Sequence, residues 1–189
     1  GVVRDHFLQK ETKDIDLVVT GITKEIFERI LSNYCNVNHV GKSFGIYKCS
    51  KDGLDIDIAF PRKEVSIGDN HRDFDIESGP QVSLEEDLFR RDFTLNAMAV
   101  RVGSEKLVDP YGGRDDLAKM SLRQLSKKSM QDDYLRALRA MQFVSRYGFK
   151  IEPNTLSSIK NNKRLLHKIS NERIAIELEK FLRGIHLKQ

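Results

Sequence analysis

Along this chain the spacing of hydrophobic positions switches between the period of a strand and that of a helix. Val2 to Leu8 suits a helix, and Asp14 to Thr20, with its apolar end Leu17-Val18-Val19, suits a strand. In Lys24 to Tyr34 the residues Ile26, Phe27, Ile30 and Leu31 fall at helical spacing. Val37 to Val40, Gly45 to Cys49 and Leu54 to Phe60 read as strands, the last two joined by Ser50-Lys51-Asp52-Gly53, a hairpin-type turn. Residues 61–82, with two prolines and many charges, read as a mobile or ligand-covered connection. Ser83-Leu84-Glu85-Glu86 is a capping-box pattern that starts a helix running to Arg90-Arg91. Met98 to Val102 and Lys106 to Val108 predict a short β pair. From Ser129 the pattern is helical: one helix to Arg146 or Tyr147 stopped by Gly148, one opened by Pro153 and Asn154, and one capped by Ser170. The last has an apolar face of Ile174, Leu178, Phe181 and Leu182. The prediction is an α+β fold, with a mixed sheet flanked by helices over residues 1–125 and an all-helical domain over 126–189.

Composition narrows the class. The 189 residues are 39% hydrophobic and 32% charged, which suits a modest core. No apolar run approaches the ~20 residues of a membrane span, and no signal-peptide pattern opens the chain, so the expectation is a cytoplasmic protein without a membrane partner. Cys35 and Cys49 form no motif and read as reduced thiols. None of the five histidines has a partner at metal-ligand spacing, which argues against zinc. The net charge of +4 hides an asymmetry: residues 1–100 hold 13 Lys+Arg against 18 Asp+Glu, and residues 101–189 hold 19 against 10. An acidic, cation-seeking part joined to a basic part suits a polyanion, although basic helices also serve solubility alone. Nothing sets an oligomeric state.

Asp14 and Asp16 supply the sharpest chemistry. Side chains at i and i+2 of a strand share a face, so two carboxylates stand side by side and favour a hard divalent cation. Asp55 and Asp57 repeat the spacing on another strand, and two such strands, if paired, supply three carboxylates to a two-metal site. The bland alternative is a solvated strand face. Arg90-Arg91-Asp92-Phe93-Thr94-Leu95-Asn96-Ala97 combines guanidinium forks suited to phosphate, a carboxylate able to accept from ribose hydroxyls and an amide, although Arg-Asp runs also make surface salt bridges. Asp109-Pro110-Tyr111-Gly112-Gly113 reads as a Gly-rich turn into a helix, either a plain N-cap or a ligand contact. Asp133, Arg136 and Arg139, at i, i+3 and i+6, form a polar ridge able to meet a base edge, with Leu135, Leu138, Met141 and Phe143 needing burial behind it. Without context an i,i+3 surface ion pair explains them as well.

These motifs, with Gly1-Val2-Val3-Arg4-Asp5 ahead of them and Asn171-Glu172-Arg173-Ile174 behind, occur in an order that resembles the class II nucleotidyltransferases. This is the family of bacterial CCA-adding tRNA nucleotidyltransferases and poly(A) polymerases, in the DNA polymerase beta superfamily. The resemblance covers nearly the whole chain and implies a polymerase-beta-like head followed by a helical neck. It implies that Asp14, Asp16 and Asp57, rather than Asp55, hold two Mg²⁺ ions and are catalytic. It implies that Gly1 and Arg4 cradle the triphosphate, that Arg91, Asp92 and Asn96 meet the nucleotide, and that Asp133 and Arg136 read the incoming base, with Arg139 supporting the helix or the phosphates. The implied reaction is in-line transfer of a nucleotide from CTP or ATP to a tRNA 3′ end, with release of pyrophosphate.

Three departures accompany the resemblance. Relatives carry a second glycine and a β-strand ahead of the position where this chain opens, so one sheet strand and part of the phosphate loop are expected outside this sequence. Relatives have Glu where this chain has Asp132. They also continue into body and tail domains beyond the neck. Val40-Gly41-Lys42-Ser43-Phe44-Gly45 favours the CCA-adding side over a poly(A) polymerase. CC-only and A-only enzymes differ in small loops, of which Arg72 to Ser83 is the one to suspect. A catalytically silent RNA-binding fragment is the alternative of another class.

Overall fold

The computed structural model describes residues 1–12, 15–38, 46–51, 54–66 and 74–187, and the chain divides into two units, Gly1–Arg90 and Arg91–Gln189. Lys13, Asp14, His39 to Gly45, Asp52, Gly53, Ile67 to Asp73, Lys188 and Gln189 lie outside the described residues. That removes from view the expected metal ligand Asp14, the stretch Val40 to Gly45, the centre of the hairpin turn and the start of the Arg72–Ser83 loop.

In the first unit, helix α1 (Val2–Phe7) precedes strand β1 (Ile15–Val18), helix α2 (Lys24–Leu31) and strands β2 (Asn36–Asn38), β3 (Ile46–Lys51) and β4 (Leu54–Ala59). The sheet runs in the order β1-β4-β3-β2, with β1 parallel to β4 and the other pairs antiparallel. Period-two alternation decides which side each residue takes. Tyr47 and Cys49 of β3 and Ile58 of β4 go into a core with Phe60 and with Phe27 and Leu31 of α2. Phe27 meets Tyr47 and Phe60 edge-on, with centroids 5.0 and 5.5 Å apart. Only the i,i+4 row of α2 is buried: Ile26 and Ile30, expected on the same apolar stripe, are exposed.

Two expectations need correction in this unit. The expected connection over 61–82 holds a hairpin instead, β5 (Arg62–Ser66) paired antiparallel with β6 (Phe74–Ser78). A cross-strand Lys63–Glu77 pair at 3.1 Å supports it, and the buried Asp87 of helix α3 (Leu84–Phe89) ties it down by accepting from the Arg62 backbone N–H. Cys35 and Cys49, expected as thiols, are joined by a disulfide. Val37 pairs with Cys49, so Cys35 two residues earlier is carried alongside, with Cα atoms 5.8 Å apart. The Ser83 capping box is formed as expected, the hydroxyl accepting from the Glu86 N–H and the Glu86 carboxylate from the Ser83 N–H.

The second unit starts where the guanidinium-rich motif turns inward. A 3₁₀ turn (Thr94–Asn96) leads to β7 (Ala99–Val100), β8 (Leu107–Val108), α4 (Gly113–Ala118) and β9 (Ser121–Leu122). Helices α5 (Ser129–Asp132) and α6 (Leu135–Tyr147), strand β10 (Lys150–Ile151), α7 (Pro153–Asn161), a second 3₁₀ turn (Lys163–Lys168) and α8 (Asn171–Leu182) complete it. Phe93, Leu95, Leu122, Met130, Phe143 and Phe149 form its core, with Phe93 edge-on to Phe143 at 5.7 Å. Residues 91–125, grouped with the head by their pattern, pack here with the helices. The Thr94 N–H donates to the Arg123 carbonyl, and β9 runs parallel to β10.

The Gly-rich turn is an N-cap in this structure: Asp109 accepts from the backbone N–H of Gly113 at 2.7 Å and of Arg114 at 2.9 Å. Gly113 is required because a Cβ there would strike the Thr94 carbonyl. The continuous helix expected from Ser129 is broken at Asp133, which is extended (φ −146°, ψ 104°) and caps the new start by accepting from the Leu135 N–H at 3.0 Å. Gly148 ends α6 in the left-handed conformation, as expected. Met141 is exposed rather than buried, as are Leu178 and Leu182 of α8. Ser170 occupies the N-cap position of α8 without a side-chain bond to the helix backbone.

Candidate functional site

On β1 and β4 the alternation that buries Ile58 and packs the partly buried Leu17 against the core sends Asp16 and Asp57 to the opposite side of the sheet. Asp16 and Asp57 are register partners across the parallel pair, so two carboxylates stand abreast on neighbouring strands. Lys48, the register partner of Asp57 on β3, brings its ammonium to 3.7 Å from the Asp57 carboxylate. Asp55 sits at the far end of β4 and accepts from the Ser50 hydroxyl at 2.5 Å. The structure therefore singles out Asp57 over Asp55 as the neighbour of Asp16. Hard, partly exposed oxygen donors side by side fit Mg²⁺. Among the described residues no group of three His, Cys, Asp or Glu side chains is close enough to hold a metal, and Asp14 is not among them.

Gly1 is the N-cap of α1, and its carbonyl accepts from the Asp5 N–H at 3.1 Å. The Arg4 guanidinium is held by Asp5 through two bonds of 2.8 Å.

In the second unit Asp92 is the most constrained of the expected residues. It is 7% exposed and accepts from the Phe93 N–H at 2.8 Å, the Asn96 amide at 2.8 Å and the Arg139 Nε at 2.7 Å. Burial works against its charge, but Arg139, the Asn96 amide and the Phe93 N–H hold its pKa below the usual carboxylate range. Arg91 donates to the Asn96 carbonyl at 3.0 Å, so Arg91, Asp92 and Asn96 form one cluster. Arg139 joins it and also lies 3.8 Å from Glu177 of α8. Asp133, Arg136 and Arg139 each bond a partner outside the three: Asp133 bonds Arg173 at 2.6 Å, Arg136 bonds the Ser129 hydroxyl at 2.8 Å, and Arg139 bonds Asp92.

The sequence places Ser129 only at the start of a helix and gives Arg173 and Glu177 no role. Arg173 belongs to the Asn171-Glu172-Arg173-Ile174 motif. Its spacing to Glu177, one helical turn, is the signal that a shared face was in play.

The sequence profile of a family described as Poly A polymerase head domain matches residues 1–123. The chain belongs to this family. A second profile, described as the probable RNA and SrmB-binding site of polymerase A, matches residues 148–189. Among curated relatives in the family, the CCA-adding enzyme of Bacillus pumilus is 34% identical over 186 residues, covering 97% of this chain and 45% of the relative. The chain superposes on the Bacillus stearothermophilus CCA-adding enzyme in complex with CTP with a TM-score of 0.82 and 31% identity, covering 99% of this chain and 44% of that one. It superposes on the Thermotoga maritima CCA-adding enzyme complexed with tRNA-CCA with a TM-score of 0.78 and 33% identity, covering 97% and 42%. The chain thus spans less than half the length of each of these three relatives. Among the described residues no helix is long and apolar enough to cross a membrane.

Proposed function

We propose that the protein adds CCA to tRNA 3′ ends from CTP and ATP, releasing pyrophosphate. The observation that carries the reading is the in-register pair Asp16 and Asp57, on a head-domain fold whose solved relatives include complexes with CTP and with tRNA. Residues 1–125 act as the nucleotidyltransferase head and residues 126–189 as the neck. Asp16 and Asp57, with Asp14, would hold two Mg²⁺ ions. When bound, these supply Lewis-acid activation of the RNA 3′-hydroxyl and neutralisation of the leaving pyrophosphate. Each remaining residue has a task suited to its chemistry. Gly1 and Arg4 meet the triphosphate, Arg4 with its guanidinium plane already set by Asp5. Arg91 offers donors to phosphate. Asp92, with three of its acceptor positions filled, keeps one for a ribose hydroxyl and is fixed in place by Asn96 and Arg139. Asp133 accepts from the exocyclic amino group of cytosine or adenine, and Arg136 donates to the ring nitrogen beside it. The reading places the protein in the cytoplasm, where its acceptor RNA is found.

Acceptor RNAs ending before the CCA, after the first C and after CC test this, with labelled CTP or ATP supplied singly in Mg²⁺. CTP twice and then ATP once is the expected order. Unlimited ATP on any RNA would instead make the protein a poly(A) polymerase, as the head-domain family's own description allows. Addition that halts at CC, or begins only there, would make it a CC-only or A-only enzyme.

A further inference from the structure

Asp133 is anchored twice. It stands in the break between α5 and α6, with one carboxylate oxygen accepting from the Leu135 N–H at 3.0 Å and the other from Arg173 at 2.6 Å, forty residues downstream on α8. A carboxylate has about four acceptor positions, so two remain, and their directions follow from the two anchors. Arg136 is fixed separately, through the Ser129 hydroxyl at 2.8 Å. The acceptor of this pair is therefore braced by α8 and the donor by α5. Cytosine and adenine both offer an amino donor beside a ring-nitrogen acceptor, so the same two side chains can pair with either. Which base fits depends on the spacing and angle between acceptor and donor.

We propose that Arg173 is a specificity-determining positioning residue, whose grip on Asp133 sets the preference between cytosine and adenine nucleotides. This rests on the nucleotidyl-transfer reading above. Helix α8 is suited to the task because it makes a second polar contact one turn along, with α6 itself. There the buried Glu177 lies 3.8 Å from Arg139 and accepts from Lys180 at 2.8 Å. The Arg173 and Asp133 side chains are 49% and 32% exposed, and a pair this accessible adds little to stability, so its loss should alter selection rather than folding.

The test compares kcat/KM for CTP and ATP on one acceptor RNA in wild type, Arg173→Ala, Arg173→Lys and Arg183→Ala, with unfolding midpoints measured alongside. Arg183 serves as control because its substitution removes the same charge at the end of α8, where it pairs along the surface with Glu179. The expected result is a change of about tenfold in the CTP-to-ATP ratio for Arg173→Ala, carried mainly by KM. Arg173→Lys should stay near the wild-type ratio, and Arg183→Ala should match wild type. A ratio unchanged in Arg173→Ala overturns the proposal, whether activity is retained or falls equally for both nucleotides. An equal change in Arg183→Ala overturns it as well, by showing a general charge effect. Wild type that incorporates neither nucleotide refutes the functional reading itself, and this proposal with it, before any substitution is compared.

Discussion

At the scale of single residues, Asp92 and Arg139 hold each other in charged form. Burial disfavours the Asp92 carboxylate, yet the guanidinium, the Asn96 amide and the Phe93 N–H keep its pKa low. Burial also works against the Arg139 charge, and Asp92 more than offsets it. Replacing Asp92 with Asn leaves Arg139 without its main counter-charge, so we expect a loss of about 3 kcal/mol at neutral pH. A carboxylate whose folded pKa is depressed stabilises fully above its unfolded value, and that contribution is lost as pH falls towards the folded one. The stability gap between wild type and Asp92→Asn should therefore be constant from about pH 7 to 5 and shrink below about pH 4, as urea titrations at each pH would show. A gap that does not change with pH would contradict the assignment. The sequence made Asp92, Asp133, Arg136 and Arg139 visible as candidates. It did not show their partners, because Asp92 meets Arg139 across 47 residues and Asp133 meets Arg173 across 40, separations at which no local period links two side chains.

At the scale of elements, legibility followed the length of the pattern. Helices α2, α3, α7 and α8 and the four strands of the sheet were readable because each carries a period or a cap of its own. The β5–β6 hairpin was not, since Arg62-Lys63-Glu64-Val65-Ser66 lacks the alternation that marks a strand. Nor was the break between α5 and α6, where the helical pattern runs on while the Asp133 side chain caps a new start. Strands β9 and β10, two residues each, are too short to leave a period. The turn before α4 gives the clearest test at this scale. A methyl group at Gly113 would meet the Thr94 carbonyl and the Met98 side chain, so Gly113→Ala forces the 3₁₀ turn and α4 apart. The expected cost is about 2 kcal/mol, measured as a lowered urea midpoint with an unchanged m-value. A neutral substitution would show that the two elements do not approach as closely as described.

At the scale of the whole molecule, the chain joins an acidic first part to a basic second part, and the functional reading assigns metal chemistry to the one and nucleotide and RNA contacts to the other. The pair that the reading depends on is Asp16 and Asp57, neighbours only because β1 and β4 run parallel in one register. A slip by one residue would send one of them into the core. The decisive measurement is pyrophosphate release on an acceptor RNA with CTP or ATP in Mg²⁺, for wild type, Asp16→Asn and Asp57→Asn, with unfolding midpoints recorded on the same preparations. Wild type should release pyrophosphate and stop when the ion is chelated. Each variant should keep its fold and lose about a thousandfold in rate, equivalent to about 4 kcal/mol of barrier. Variants that turn over at the wild-type rate, or turnover indifferent to chelation, would contradict the account.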